Sequence, residues 1–228
     1  MTPERFAKLQ RALDRRQPDL TVFMDSVHKP ANFAAIIRTA DAVGVQRLHA
    51  VAAGDELRGH HVSAGGTKHW VGVTLHRSTR AGLAALRAEG WRLVAAHGGD
   101  KTRDYRQVDY TAKVAIMVGA ELVGLSDAAI AAADDHIAIP MHGLGASLNV
   151  AVAVGVILLE AERQRIAAGF YERSRLTPEE RARTLFEWSY PDIAERCRQH
   201  GRPYPPLTAD GMVASNPSID VSTVSPQE

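Results

Sequence analysis

The pattern that most restricts the fold is an alternation of short apolar runs with segments of helical periodicity. LTVFMD (20–25), RLHAVA (47–52), WRLVAAH (91–97), KVAIMVG (113–119) and DHIAIP (135–140) have the length and composition of buried strands, and VGVTL (71–75) reads as a weaker one. Between them, residues 30–43 ahead of Gly44, STRAGLAALRAEG (78–90) and DAAIAAA (127–133) behind Ser126 carry helix signals. Strands that alternate with helices are joined by crossovers, which predicts an α/β chain with a largely parallel sheet.

The longest helix is expected from Ser147 to about Ala168, roughly 33 Å at 1.5 Å per residue. It is apolar nearly all round through Leu159 and then switches to EAERQR (160–165). A helix of that kind is buried on every side, either as a central packing element or against a second subunit. Four regions follow from these signals. Residues 1–19 hold a short basic helix stopped by Pro18, and 20–168 form the α/β domain. Residues 169–207 form a helical extension with PEERARTLFEWS (178–189) and IAERCRQH (193–200) before the break at RPYPP. Residues 208–228, rich in Ser, Pro and Asp, read as a disordered tail.

Composition narrows the class. Of 228 residues, 45% are hydrophobic and 23% charged, which fits an ordinary globular chain. Twenty-seven Lys and Arg against 26 Asp and Glu leave a charge of only +1, so no overall positive field points to nucleic acid. The distribution is uneven: residues 203–228 carry −3 and the body +4, and 22 of the basic residues are Arg, which suits phosphate forks. The single cysteine, Cys197, excludes an intrachain disulfide and fits a reducing compartment, so a cytoplasmic protein is expected. Residues 1–10 lack the apolar core of a signal peptide, and Val150 to Leu159 is far short of a membrane span, so no membrane partner is expected.

Several familiar motifs fail. Gly143 and Gly145 ahead of a helix suggest a dinucleotide cradle, but Leu148 stands where the third small residue belongs, which argues against a nucleotide-binding oxidoreductase. GASLN (145–149) lacks the closing glycine of a serine nucleophile elbow, and there is no Walker loop. Among ten histidines, His60, His61 and His69 lie close together without metal-ligand spacing, so loop and surface histidines and no metal are expected.

Other residues carry more. Phe33, Ile36, Ile37, Ala40 and Val43 make one apolar stripe, which turns Arg38 away from the core, either to pair with Asp41 or to meet a ligand. Asn32 reads as a capping residue near the same helix start. Glu121 follows a buried strand, and Ser147 and Asn149 open the long helix just after another. Ligands bind at the carboxyl ends of parallel strands, so these polar groups can converge; Ser147 equally suits a plain N-cap.

Three segments in this order, NFAAIIRTADAVGV (32–45), IMVGAELVGLS (116–126) and IPMHGLGASLNVAVAVGVILLEAERQR (139–165), resemble the three motifs of the SPOUT ribose methyltransferases. The likeness is to those that methylate guanosine 18 of tRNA. It extends to RRQPDLTV (15–22) and LFEWSYPDIAERCRQHGRPYPP (185–206), so it covers about residues 3–207.

The resemblance implies a SPOUT-type α/β fold with a deep trefoil knot, N- and C-terminal helical extensions, a homodimer, and S-adenosylmethionine as cofactor. By position, the family's cofactor contacts fall on Ala96, His97, Gly119, Ile139, Met141 and Leu148. Apolar side chains suit such places if the adenine is read by main-chain groups, which every residue carries. Arg38 matches the catalytic arginine, and Asn32, Glu121, Ser147 and Asn149 match the other site residues. Arg38 then serves as general base or, because a guanidinium is effectively always charged, as a grip on phosphate and forming alkoxide. Arg11, Arg15, Arg16, Arg163, Arg165 and Arg173 are the candidates for tRNA phosphate contacts, against a reading in which Glu160 pairs with Arg163 and Glu162 with Arg165. Two departures stand out: Leu122 where relatives often have Lys, and Leu144-Gly145-Ala146 in place of a bulkier Met-Val-Gln, which loosens a loop beside the cofactor. The expected activity is 2′-O-methylation of a D-loop guanosine in tRNA; a ribosomal RNA ribose is the alternative substrate, and a non-catalytic RNA-binding relative the alternative class.

Overall fold

A computed structural model describes residues 1–51, 70–99 and 101–214. His60, His61, His69 and the last part of the expected tail lie outside the described residues. The chain divides into two units, Arg15–Arg175 and a second made of Met1–Asp14 with Leu176 onward. The basic N-terminal helix and the C-terminal helices thus share one unit rather than flanking the domain as separate extensions.

Within Arg15–Arg175 the described strands are β1 (Leu20–Asp25), β2 (Arg47–Val51), β3 (Gly72–His76), β4 (Arg92–Ala96), β5 (Arg103–Asp104), β6 (Val114–Gly119) and β7 (Asp135–Ala138). They form one sheet in the order β3-β2-β1-β6-β4-β7-β5, with every neighbouring pair parallel. β1 is buried along its whole length and β6 nearly so, and they pair over six residues from Leu20–Val114 to Asp25–Gly119. That is the reason their runs are apolar without alternation: both faces of a central parallel strand are covered. The described helices are α2 (Pro30–Ala42), α3 (Thr79–Ala88), α4 (Asp127–Ala132) and α5 (Val150–Ala167). Ser78 and Ser126 cap α3 and α4, each accepting from a backbone N–H three residues on. β5 and the short 3-10 turn Tyr105–Gln107 have no periodic signal in the sequence, which is too short there to show one.

Three expectations are corrected. α5 begins at Val150 with Asn149 as N-cap, so Ser147 is not the cap and the helix is about 27 Å long. Nor is α5 covered all round: Val152, Leu159 and Ile166, at seven-residue intervals, are 52%, 56% and 58% exposed. The histidines are not all surface groups. His49 on β2 is buried, its Nδ1 lies 2.9 Å from Nε2 of His76 on β3, and burial, helped by His76, pulls its pKa down to about 4.

Two of the arginines assigned to phosphate are structural. Arg165 is fully buried on α5 and donates to the carbonyls of Tyr110, Asp19 and Ala112 and to the side chains of Gln17 and Asp19. Its partner is Asp19, not Glu162, and Asp19 also receives Arg175, which stacks on Phe170. Arg16 is likewise buried, with Nη2 on the Asp41 carboxylate at 2.5 Å and Nη1 on the Val45 carbonyl at 3.1 Å. Asp41 is therefore engaged by Arg16 rather than by Arg38.

The second unit contains α1 (Pro3–Asp14), α6 (Pro178–Ser189) and α7 (Pro191–Gln199). Phe6, Leu9 and Leu13 give α1 its buried face, and Arg181 clamps Asp14 through two hydrogen bonds of 2.6 and 3.1 Å. Thr177 and Glu180 start α6 with a reciprocal capping box. The segment 208–214 is ordered, contrary to the tail reading: Leu207 bridges Val213, Tyr190 donates to the Gly211 carbonyl, and Gly211 lies against the Phe6 ring. Among the described residues, no helix is long and apolar enough to cross a membrane.

Because Arg165 is a fully buried donor to three main-chain carbonyls and the counter-charge of Asp19, Arg165→Ala is expected to lower the unfolding free energy by about 3–5 kcal/mol, read as a lower urea midpoint. A midpoint within error of the parent contradicts the anchoring role.

Candidate active site

Parallel pairing brings the carboxyl ends of β1, β4, β6 and β7 to one edge of the sheet. Side chains and loops at that edge form the site. β1 ends in Asp25, which is buried and accepts from Thr79 Oγ1 at 2.5 Å and from the Ser126 N–H at 2.9 Å, tying two neighbouring loops to the strand. Ser26 then takes a left-handed φ of 62°, unusual for a residue with a side chain, and redirects the chain toward Lys29 and α2. β6 ends in Gly119, where a Cβ would stand 2.0 Å from the Gly124 carbonyl carbon and 2.2 Å from the Leu125 nitrogen. Only glycine lets the 120–124 turn fold back onto the strand end, where Ala120 and Gly124 exchange backbone hydrogen bonds of 3.1 and 2.8 Å.

Three of the predicted polar residues meet in one hydrogen-bonded chain. Asn149 Oδ1 accepts from the N–H groups of Ala151 at 2.9 Å and Val152 at 3.4 Å, capping α5. Its amide nitrogen is thereby turned outward and donates to Asn32 Oδ1 at 3.1 Å. Asn32, buried in the first turn of α2, passes the pattern on by donating through Nδ2 to Glu121 Oε1, and the other carboxylate oxygen receives the Lys29 ammonium. Asn32 is therefore not a cap; the α2 cap position is Lys29, ahead of Pro30, and its side chain makes no capping bond.

This chain borders a cleft of about 470 Å³ whose walls include Ala96, His97, Gly119, Ile139, Met141 and Leu148, all six of the expected cofactor positions, together with Lys29, Glu121, Ser147 and Asn149. His97 is held at both ring nitrogens. The Gly98 carbonyl, 2.8 Å from Nδ1, only accepts, so that nitrogen carries the proton and Nε2 accepts from His136 Nδ1–H at 2.9 Å. Two loops flank the opening with apolar tips, since Leu122, Val123 and Leu144 are almost wholly exposed.

Arg38 is exposed on α2, outside the residues that line the cleft, and among the described residues nothing pairs with it. Arg11, Arg15, Arg163 and Arg173 are exposed as well, Arg163 in a two-bond pair with Glu160 at 2.9 and 2.7 Å. Sequence reasoning missed Lys29. Its only signal is its place immediately before the proline that opens α2, at the carboxyl end of a strand.

Gly119 and Gly143 give a paired test. A Cβ at Gly143 meets nothing within 4 Å, whereas at Gly119 it collides with main chain. Gly119→Ala is expected to cost at least about 1–3 kcal/mol, seen as a Tm several degrees lower, and Gly143→Ala to leave Tm unchanged. Equal Tm values for the two variants refute the close approach at Gly119.

The chain matches the model of the SpoU rRNA Methylase family over residues 19–159 and that of its C-terminal region, "SpoU, rRNA methylase, C-terminal", over 163–216. It is 45% identical over 218 residues, 95% of both chains, to a protein of Escherichia coli (strain K12) named tRNA (guanosine(18)-2′-O)-methyltransferase. Among solved structures it resembles the A. aeolicus TrmH/SpoU tRNA modifying enzyme, with a TM-score of 0.75 and 37% identity across 83% of this chain and 97% of that one. It also resembles an AdoMet-bound rRNA methyltransferase from Sinorhizobium meliloti, with a TM-score of 0.58 and 30% identity across 68% and 59%. With the sheet, the cleft and these matches in agreement, the chain belongs to the SpoU methylase family.

Proposed function

We propose that this protein methylates the ribose 2′-oxygen of guanosine 18 in tRNA, using S-adenosylmethionine, and works in the cytoplasm as a homodimer. The observation that carries the chemistry is the Asn149–Asn32–Glu121 chain standing at the edge of a cleft lined by all six expected cofactor positions. The choice of tRNA rather than ribosomal RNA rests on the Escherichia coli relative, which matches over 95% of both chains, including the second unit.

The cleft suits the cofactor. Gly119 lines it where the 120–124 turn folds back against the strand end, and Ala96, Ile139, Met141 and Leu148 offer apolar walls with main-chain groups for an adenine. When bound, S-adenosylmethionine supplies a methyl group on a positively charged sulfur. The rest falls to the protein. Asn32, Glu121, Ser147 and Asn149 orient the ribose and its hydroxyl, and holding reactants in line supplies much of the rate. Arg38 presents a charged fork free to grip a substrate phosphate and to stabilise negative charge growing on the 2′-oxygen as its proton leaves. Arg11, Arg15 and Arg173 are exposed and suit further phosphate contacts. The threaded path of the chain after β6, which the family likeness implies, is part of the same reading.

The homodimer draws support from α5. Val152, Leu159 and Ile166 form an exposed apolar stripe at seven-residue intervals, the pattern of a helix that packs on another helix. A second copy covers it symmetrically. The triple variant Val152→Ser, Leu159→Ser, Ile166→Ser is expected to sediment as a folded monomer where the parent sediments as a dimer. A variant that remains dimeric places the interface elsewhere.

Activity is tested with labelled S-adenosylmethionine and two RNAs, a tRNA transcript and the same transcript with a 2′-deoxyguanosine at position 18. The first should be labelled and the second not; label in both, or only in ribosomal RNA, rejects the assignment, and no label in any RNA favours a non-catalytic relative. Arg38→Ala and Arg38→Lys should each lose about 10²–10³ in kcat, since lysine lacks the bidentate fork. A fully active Arg38→Ala excludes both roles considered for that residue, and a fully active Arg38→Lys excludes any need for the bidentate fork.

A further inference from the structure

We infer that Lys29 is a positioning residue for methyl transfer, one that acts through Glu121 on the buried Asn32 and Asn149 amides; this rests on the reading above. The orientations in the chain are fixed from the inside outward. Asn149 Oδ1 is committed to the first turn of α5, so its nitrogen must donate to Asn32, and Asn32 must donate to Glu121. Glu121 is thus obliged to accept on Oε1, and Oε2 is left for Lys29. The carboxylate side chain is 20% exposed and the lysine side chain 71%, so the ammonium is the outermost group of the chain and the one that restrains the carboxylate from turning to water.

The lysine backbone has little freedom to move away. Lys29 precedes Pro30, which restricts it to extended conformations, and it sits at φ −69°, ψ 120°. Its side chain and that of Glu121 line the same cleft. Without the ammonium, Glu121 loses its counter-charge and swings outward, which leaves the amide of Asn32, on the buried side of α2, with an unused donor. Exposed ion pairs contribute little to folding, so the effect belongs to the geometry of the site and shows in turnover rather than in melting temperature.

The test uses Lys29→Met, Lys29→Arg, Glu121→Gln and the double variant Lys29→Met/Glu121→Gln in the full chain. Lys29→Met is expected to reduce kcat for tRNA by about tenfold with KM for tRNA changed less than about twofold, and Lys29→Arg to restore most of the loss. In the Glu121→Gln background the lysine change should add nothing, because both act through one contact. A second readout needs no turnover: the ¹⁵N–¹H side-chain resonances of Asn32 and Asn149 in the ligand-free protein should shift in Lys29→Met and in Glu121→Gln, coincide in the double variant, and return in Lys29→Arg. A raised KM for tRNA at unchanged kcat, additive with Glu121→Gln and with unmoved amide resonances, makes Lys29 a phosphate contact and overturns the inference. Unaltered kinetics and resonances in Lys29→Met overturn it too. An inactive parent refutes the methyltransferase reading instead, and the resonances then still decide the role of Lys29.

Discussion

The site depends on Asn149 serving two purposes with one amide. Its oxygen closes the first turn of α5 and its nitrogen holds Asn32, so the start of the longest helix and the start of α2 are joined by a single side chain. An isolated N-cap is worth about 1 kcal/mol to a helix. Here the cap also determines which way three polar groups face, because each amide can present only one donor end and one acceptor end. An aspartate in its place would still cap α5 but would confront the Asn32 oxygen with another acceptor. The residue type is therefore fixed by chemistry beyond helix formation.

The parallel sheet explains why these groups lie at the same place. β1 and β6 pair in register to their last residues, Asp25 and Gly119, so everything that follows either strand emerges at a common height. Asp25 binds the loops on both sides and Ser26 turns the chain at once, while Gly119 allows the next turn to fold back against its own strand. A carboxylate, a strained serine and a bare glycine do for this edge what a glycine-rich cradle does in a dinucleotide fold.

The strands were legible because central parallel strands are apolar on both faces, and β1 and β6 fall within a residue of where the runs place them. The six cleft positions were legible through family likeness alone; nothing in Ala96 or Ile139 as residue types announces a cofactor. Arg165 was misread although its position held the answer. The buried residues of α5 are Val150, Val154, Ile157, Leu158, Ala161 and Arg165, so the arginine continues the inward face by a further step of four. Asn32 tells the same story, lying one turn before Ile36 on the buried side of α2. A polar residue in register with an apolar stripe signals a buried network. Lys29 and Glu121 are 92 residues apart in sequence, and their pairing exists only once β1 and β6 are side by side.

The misread arginine and the amides of Asn149 and Asn32 turn out to be two ends of one arrangement. At its C-terminal end α5 is held by Arg165 to Asp19, which precedes β1, and to the carbonyls of Tyr110 and Ala112, which precede β6. At its N-terminal end it is held by Asn149 to Asn32 and through it to Glu121, which follow the same two strands. The helix thus lies antiparallel along β1 and β6 with a polar fastening at each end, and the buried hydrophobic residues between them fill the space without specifying register. Apolar packing alone would tolerate small slides of such a helix, whereas five hydrogen bonds from one guanidinium would not. Burying that guanidinium costs desolvation, and ion pairs of this kind often add no net stability over apolar substitutes. What it contributes is position: a one-ångström shift of α5 would move Asn149 out of reach of Asn32, so the buried charge far from the cleft sets the geometry on which the cleft relies.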